Sequence, residues 1–246
     1  MYISSSSLVV AALASCAIGQ AQTPQGFTPS VNTKLEVFFN SNSVKTPGEL
    51  LSKATTTTEP QLAISSAAGN LSDTYVFVML DLDVPPQQGS TERRVLLHAM
   101  NTGFKATQQT LSGAGTLLAS NSKGPAAYLP PGPPANDTVA HRYVQLLFRE
   151  PATLEVQAAD FANINGRFNF DIQSFMQNNN LGEPVAGNFF MVDGRVNATT
   201  GSGRGSPTGT GGMPSSTLAT FEGTAGRWEV SCRLVGALCT LAMLVV

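Results

Sequence analysis

The sequence has little charge, few histidines and few cysteines. Asp, Glu, Lys and Arg make up 12% of the 246 residues, about half of what soluble domains usually contain. The net charge is −2 and no run of Lys or Arg occurs, so the basic footprint of a nucleic-acid-binding protein is missing. No G-x-S-x-G, H-E-x-x-H, Walker A or G-x-G-x-x-G motif is present. These absences exclude the hydrolases, zinc proteases and nucleotide-binding proteins that such motifs identify.

The three cysteines all fall near the ends of the chain. Cys16 is in an N-terminal apolar segment, and Cys232 and Cys239 are close to the C terminus. We predict that both ends are removed during maturation. The processed chain would then have no disulfide, no thiolate nucleophile and no cysteine-based metal site.

The N-terminal segment is typical of a secretory signal peptide. Leu8–Ile18 is an apolar run that is too short to span a bilayer. Small residues follow it, so cleavage is expected after Gly19 or Ala21, and residues 1–21 are predicted to be the signal peptide. A buried N-terminal helix is the alternative.

The C-terminal segment has the pattern of a GPI-attachment signal. The apolar run Leu234–Val246 is shorter than the roughly 17 residues of a spanning helix, and a polar spacer, Gly226–Arg233, precedes it. We predict an attachment signal over residues 224–246, with Gly223 as the attachment site and Ser215 as the second choice. A weak transmembrane tail and a plain C-terminal helix are the alternatives.

A stalk is predicted between this signal and the folded region. From Asn197 the sequence is mostly Gly, Ser, Thr and Pro, which indicates a flexible segment over residues 196–223. Three N-glycosylation sequons begin at Asn70, Asn136 and Asn197. Together with the two ends, they predict a glycoprotein of the secretory pathway, either secreted or held at the cell membrane by a GPI anchor.

The folded region, residues 22–195, is predicted to be mainly β. Apolar runs, some alternating and some continuous, predict strands at 34–39, 75–80, 94–100, 142–148 and 188–192. One helix is predicted from Asp171 to Asn179, because an acidic residue stands at its start and an asparagine run stands at its end.

Four polar residues that could form a site lie in these strands or next to their ends. Asp81 and Asp83 are two residues apart, so they would share one face of an extended strand. The only histidines, His98 and His141, lie in predicted strands or at their starts. A structural role is the simpler interpretation of each, since Asp-x-Asp before proline commonly forms a turn or cap. Two Asp and two His could also bind Zn²⁺, but no local ligand spacing supports a metal site.

The order of these motifs resembles the phosphatidylethanolamine-binding protein (PEBP) family. The matching segments are Asp81-Leu82-Asp83-Val84-Pro85, Leu97-His98, Gly132-Pro133-Pro134 and His141-Arg142-Tyr143. Leu82 replaces the proline of the family's first motif, and the loop before His141 is one residue longer than expected. The resemblance implies a large antiparallel sheet with a smaller second sheet and a few short helices.

The resemblance also implies a pocket for small anions such as phosphate headgroups. By motif position, its lining would be Asp81, Asp83, His98, Gly132, Pro133, Pro134, His141 and Tyr143. A zwitterion such as phosphoethanolamine would place its ammonium group by the two carboxylates and its phosphate by the histidines. Because imidazoles attract an anion only when protonated, binding is expected to strengthen as the pH falls.

Three functions follow from the resemblance and the residues. The first is a binding protein for a phospholipid headgroup or another small anion, without a cofactor and without catalytic residues. The second is inhibition of a serine carboxypeptidase, an activity of some fungal relatives, which would make such a protease a partner. The third is an isomerase-type enzyme that uses a pocket histidine as acid or base, and the absence of a nucleophile or cofactor motif disfavours it.

Overall fold

The structure, a computed structural model, describes residues 20–111 and 113–196. Most of the predicted signal peptide, the three cysteines and nearly all of the predicted stalk lie outside the described residues. So do the GPI signal, both predicted attachment sites (Gly223 and Ser215) and the sequon at Asn197. Within residues 20–111 and 113–196, no helix has the length and apolar character needed to cross a membrane.

Ten β-strands dominate the described residues. They are β1 (Glu36–Phe39), β2 (Asn42–Ser43), β3 (Glu49–Leu51), β4 (Gln61–Ile64), β5 (Thr74–Val84), β6 (Arg94–Leu111), β7 (Gly115–Ala119), β8 (Pro125–Ala126), β9 (His141–Arg149) and β10 (Ala186–Val192). One α-helix, α1 (Ile172–Asn178), and two 3-10 helices, Ala158–Phe161 and Ile164–Arg167, accompany them. The prediction of a mainly β fold is confirmed.

The ten strands form one curled sheet. Its order is β2-β1-β4-β7-β6-β5-β9-β10-β3, and β8 pairs with β6 away from this path. Neighbouring strands are antiparallel, except for the parallel pair β10 and β3. The three central strands β6, β5 and β9 are also the longest, so they make the rigid middle of the sheet.

The smaller sheet implied by the resemblance is not separate from the large one. Residues 94–105 of β6 pair with β5, and residues 105–111 of the same strand pair with β7. A register shift between Ala106 and Thr110 and a left-handed φ of 72° at Gly103 allow β6 to bend. One continuous strand therefore carries the hydrogen bonding from the large sheet into β7, β4, β1 and β2.

Both faces of the central sheet are buried. On β5, Tyr75, Phe77 and Met79 belong to one apolar core, and the intervening Val76 and Val78 belong to the other. This explains why β5 is a continuous apolar run in the sequence rather than an alternating one. The first core also receives residues of β1, β4 and β10, whereas α1 and the 3-10 helix 158–161 pack on the second.

The predicted helix is confirmed as α1. Asp171 precedes it, and its side chain accepts hydrogen bonds from the backbone N–H groups of Gln173 and Ser174. This is an ordinary N-cap, in which a carboxylate satisfies amides that have no partner in the first turn. Asn179 ends the helix, as its sequence position predicts.

Candidate functional site

Four of the predicted pocket residues meet where β5, β6 and β9 lie side by side. Asp81 of β5 is directly paired with Tyr143 of β9, which places both on the same face. His141 is the first residue of β9, two positions before Tyr143 and therefore on that face too. With His98 of β6, all four residues are buried. The hydrogen-bond register of three strands thus assembles a polar cluster at the edge of the first apolar core.

His98 reaches this cluster through a β-bulge. Met79 and Leu80 of β5 pair with Ala99 and Leu97 of β6, so His98 is an extra residue between two partners. An inserted residue of this kind redirects the side chains beside it. The His98 ring contacts Tyr143 edge-on, with ring centroids 5.1 Å apart.

His141 is held between two carboxylates. Its Nδ1 lies 2.8 Å from Oδ2 of Asp81, and its Nε2 lies 2.9 Å from Oδ2 of Asp137. Since carboxylate oxygens accept hydrogen bonds, this arrangement favours an imidazolium, in which both ring nitrogens donate. Burial opposes this charge, but the hydrogen bonds and charges of Asp81 and Asp137 raise the pKa of His141 above its ordinary value.

His98 has the opposite electrostatic environment. Its Nδ1 lies 2.8 Å from the carbonyl oxygen of Leu129, which can only accept, so Nδ1 carries the hydrogen. Burial lowers the pKa of His98 below its ordinary value, although the Leu129 hydrogen bond and the Asp81 charge oppose this. The ring is therefore neutral at pH 7, and its Nε2 is an acceptor 3.8 Å from Oδ2 of Asp81.

Tyr143 contributes a buried hydroxyl group without a hydrogen-bond partner among the described residues. The Asp81 carboxylate and the Gly132 N–H lie close enough to influence its pKa through hydrogen bonding, but neither contact is a well-formed hydrogen bond. Burial, and then the nearby Asp81 charge, raises the pKa of Tyr143, so the hydroxyl keeps its proton. An unsatisfied buried hydroxyl costs about 1–3 kcal/mol. It is the group in this cluster that most clearly lacks a partner.

Asp83, beside Asp81 in the cluster, is paired with Arg142. Its Oδ2 accepts from the backbone N–H and from Nε of Arg142 at 2.9 and 2.8 Å, and its Oδ1 accepts from Nη2 at 2.8 Å. Burial opposes the charge, but Arg142 holds the pKa of Asp83 below its ordinary value. Both carboxylate oxygens are thus already used within the protein.

Asp137 closes the cluster on its solvent side. It belongs to the 127–140 loop, which connects β8 to β9, and its side chain is 4% exposed. Its two oxygens pair with the Arg93 guanidinium, at 2.9 Å from Nη1 and 2.7 Å from Nη2. Arg93, and then His141, holds the pKa of Asp137 far below its ordinary value, against the effect of burial.

The charges of the closed cluster balance. Asp81, Asp83 and Asp137 contribute three negative charges, which the cations hydrogen-bonded to them, His141, Arg93 and Arg142, match with three positive charges. Burying charges is favourable only when each is paired in this way. With Asp137 in place, each of these three cations is paired with a carboxylate.

The 127–140 loop positions the remaining predicted residues. Pro133 is buried, whereas Gly132 and Pro134 are exposed. The Pro134 carbonyl accepts from the Asp137 N–H at 3.1 Å, which closes a turn. The Asp137 carboxylate also accepts from the Val139 N–H at 3.0 Å. These local contacts direct the Asp137 side chain inward.

The sequence profile of the phosphatidylethanolamine-binding protein family matches residues 40–190, which include every residue of this cluster. The chain belongs to the phosphatidylethanolamine-binding protein family. A curated relative, the "Phomoidride biosynthesis cluster protein N" of Talaromyces stipitatus, is 32% identical over 197 residues, covering 75% of this chain and 96% of that protein. The "26 kDa secreted antigen" of Toxocara canis is 28% identical, over 70% of this chain and 61% of that protein.

A solved structure shares the PEBP fold. A carboxypeptidase Y inhibitor, solved in complex with its cognate proteinase, has a TM-score of 0.50 to this chain. The match covers 67% of this chain and 84% of that chain at 21% sequence identity. At this level of identity the likeness shows the fold alone.

Arg93 and Asp137 belong to this cluster but are absent from the site predicted from the sequence. The two residues are 44 positions apart and neither lies in a strand, so no periodicity connects them. Asp137 stands inside the sequon that begins at Asn136, and the pattern there indicated glycosylation rather than an ion pair. Its position four residues before His141 was the one local signal of a link between them.

The groups in and around the cluster determine which ligands it can bind. Arg93 also lines a cavity of about 500 Å³, together with Arg94, Phe27 and Phe170. Within residues 20–111 and 113–196, no three His, Cys, Asp or Glu side chains are grouped as metal ligands. What the cluster offers is one buried hydroxyl donor, one imidazolium, one guanidinium and one neutral imidazole acceptor.

Proposed function

We propose that this PEBP-family chain binds a small anionic ligand, such as a phosphate or phosphoethanolamine headgroup, at Asp81, His98, His141 and Tyr143. The observation that carries the proposal is the Tyr143 hydroxyl, which is fully buried and unpartnered within the described residues. A ligand oxygen would satisfy this donor. The imidazolium of His141 supplies a positive charge close by, since the centroids of the His141 and Tyr143 rings are 6.4 Å apart.

The same cluster suits the cationic end of a zwitterion. The Nε2 of neutral His98 is an acceptor, and it lies beside the Asp81 carboxylate. An ammonium group has three donors and no acceptor, so it pairs well with these two groups. We therefore assign the ammonium to Asp81 and His98 rather than to Asp83, whose oxygens are used by Arg142.

Calorimetric titration of the full-length chain with inorganic phosphate and with phosphoethanolamine tests this proposal. The variant Tyr143→Phe removes only the hydroxyl, and we expect it to weaken binding roughly 10- to 100-fold, since a hydrogen bond to a charged group contributes about 1.5–3 kcal/mol. Tyr75→Phe is the matched control, because the Tyr75 hydroxyl is also buried but donates to the Asn70 carbonyl. Equal affinity for wild type and Tyr143→Phe would refute the proposed site.

Acid–base catalysis is a second candidate, which one observation favours. A general base must be unprotonated, and burial keeps His98 neutral with its Nε2 available. A relative named for a biosynthesis cluster is compatible with such chemistry. Any ligand found by titration can be incubated with the chain and followed by ¹H NMR. Conversion by wild type at saturating ligand that His98→Gln abolishes would favour the enzyme.

Serine carboxypeptidase inhibition is a third candidate, supported by the fold shared with the carboxypeptidase Y inhibitor. The test is hydrolysis of a chromogenic peptide by carboxypeptidase Y at increasing concentrations of this chain. Dose-dependent loss of hydrolysis would favour inhibition, and unchanged hydrolysis at micromolar chain would exclude it for this protease.

We also propose that the chain enters the secretory pathway and is held at the cell surface by a GPI anchor. The side chains of Asn70 and Asn136 are exposed, as a glycan requires. A mass decrease after endoglycosidase treatment, and release from cells by phosphatidylinositol-specific phospholipase C, are the expected results. A cell-retained chain without glycans would contradict the proposal.

A further inference from the structure

The Asp137 carboxylate has the contacts of a bound anion. It receives two parallel hydrogen bonds from the Arg93 guanidinium and a third from Nε2 of His141, at 2.7–2.9 Å. A guanidinium fork combined with an imidazolium is a donor set that recognises phosphate and carboxylate groups in general. Here the protein supplies the anion from its own chain.

The donors and the acceptor differ in how they are held. His141 begins the central strand β9, and Arg93 immediately precedes β6 and also donates to the backbone carbonyl of Asp83 in β5. Asp137 belongs to the 127–140 loop, which contains no helix or strand. The two cations would therefore keep their positions if the loop moved, whereas the carboxylate would leave with it.

Departure of Asp137 would change the charge of the cluster. Two carboxylates, Asp81 and Asp83, would then face three cations, which leaves a surplus of one positive charge. A ligand phosphate or carboxylate would restore the balance. The Arg93 side chain is 28% exposed, so solvent, and with it a soluble anion, reaches this position from the Arg93 side.

We propose that Arg93 and Nε2 of His141 form the anion subsite of this protein and that Asp137 occupies it in the closed state as an internal competitor. A phosphate or carboxylate ligand binds by displacing Asp137, with the 127–140 loop moving outward. This inference rests on the proposed binding function and adds the residues that receive the anion. It makes Asp137 a determinant of affinity that acts by competition.

The test is calorimetric titration of wild type, Asp137→Ala and Asp137→Asn with inorganic phosphate and with phosphoethanolamine at neutral pH and constant ionic strength. Asp137→Ala should bind on the order of tenfold or more tightly than wild type, because apparent affinity falls with the fraction of molecules that are closed. Asp137→Asn keeps the size of the side chain without its charge and should fall between the two. Arg93→Gln in the Asp137→Ala background should lose the gain.

The controls separate this inference from the proposed function. Asn136→Gln changes the exposed neighbour of Asp137 and should bind like wild type, when all chains are made without glycans. Equal or weaker binding by both Asp137 variants, with native ¹⁵N–¹H spectra, would overturn the competition while leaving the binding function standing. Absence of binding in every folded variant would overturn both. Should Asp137→Ala fail to fold, Asp137→Asn alone decides the matter.

Discussion

Asp83 is expected to stabilise the fold mainly by pairing with Arg142. Replacing Asp83 measures how much this buried ion pair contributes to the free energy of unfolding. In Asp83→Ala, three hydrogen bonds from Arg142 are lost. The guanidinium can turn to solvent, because the Arg142 side chain is 38% exposed. The backbone N–H of Arg142, which Asp83 covers, is left without an acceptor. Removing one partner of a buried ion pair costs about 3–5 kcal/mol, and the partial exposure of Arg142 places our expectation near the lower limit.

Asp193→Ala is the matched control for this prediction. Asp193 accepts the same three kinds of hydrogen bond from Arg195, at 2.9, 2.9 and 2.7 Å, but Arg195 is exposed. Exposed ion pairs contribute little to stability, so its loss should be much smaller. Urea unfolding followed by circular dichroism measures both variants. Equal losses would show that burial does not decide the strength of the Asp83–Arg142 pair, and would refute the reasoning.

Two further predictions concern stability. The free energy of unfolding should be highest near the ordinary histidine pKa of about 6.5. The pKa of His141 is raised, so its contribution to stability is lost as the pH rises above this value. The pKa of His98 is lowered, so its contribution is lost as the pH falls below this value. His141→Gln and His98→Gln should each flatten one side of the profile in urea unfolding, and unchanged slopes would contradict these assignments. Phe190→Ala should cost about 3–5 kcal/mol in the same assay, because Phe190 stacks on Tyr143 at 5.3 Å; a cost below that of Phe190→Leu would contradict it.

The strands that the sequence predicts are those with two buried faces or clear alternation. The run 75–80 lies within β5 and the run 142–148 lies within β9, and both strands contact apolar residues on each side. The short strands β2, β3 and β8 have two or three residues. So few residues carry no periodicity, and their pairing depends on partners elsewhere in the chain.

The continuity of the sheet could not be predicted from a local sequence pattern either. The run 94–100 indicated a strand, but β6 extends to Leu111 through polar residues such as Thr107 and Gln109. Pairing with β7 at Lys105, Ala106, Thr110 and Leu111 holds both ends of that second half, so it stays extended without an apolar pattern. The resemblance therefore implied two sheets where the hydrogen bonding makes one.

The candidate site, too, could be predicted from the sequence only in part. Motif order placed Asp81, His98, His141 and Tyr143 in one group, and the structure brings these four together. The partners of charged side chains were not predictable, because any cation within reach can pair with a carboxylate. Asp83 therefore has Arg142 as its partner, and Asp137 has Arg93, from a distant part of the chain.

The longer loop before His141 is an example of a segment whose side-chain partners the sequence did not predict. Its extra length relative to the PEBP motif was evident in the sequence, and the sequon at Asn136 predicted a glycan on it. In the structure, this loop carries Asp137 into contact with His141 and Arg93. A departure from a family motif thus identified the right segment without showing what its side chains do.

The protonation states of the two histidines decide whether His141 and Arg93 can receive an anion. Long-range ¹⁵N–¹H NMR of the two imidazoles at pH 7 resolves them, because the chain contains only two histidines. We expect an imidazolium at His141, with both nitrogens protonated, and a neutral ring at His98, with its proton on Nδ1. A neutral His141 at this pH would mean that the two carboxylates do not hold it as a cation, and the anion subsite proposed with Arg93 would be wrong.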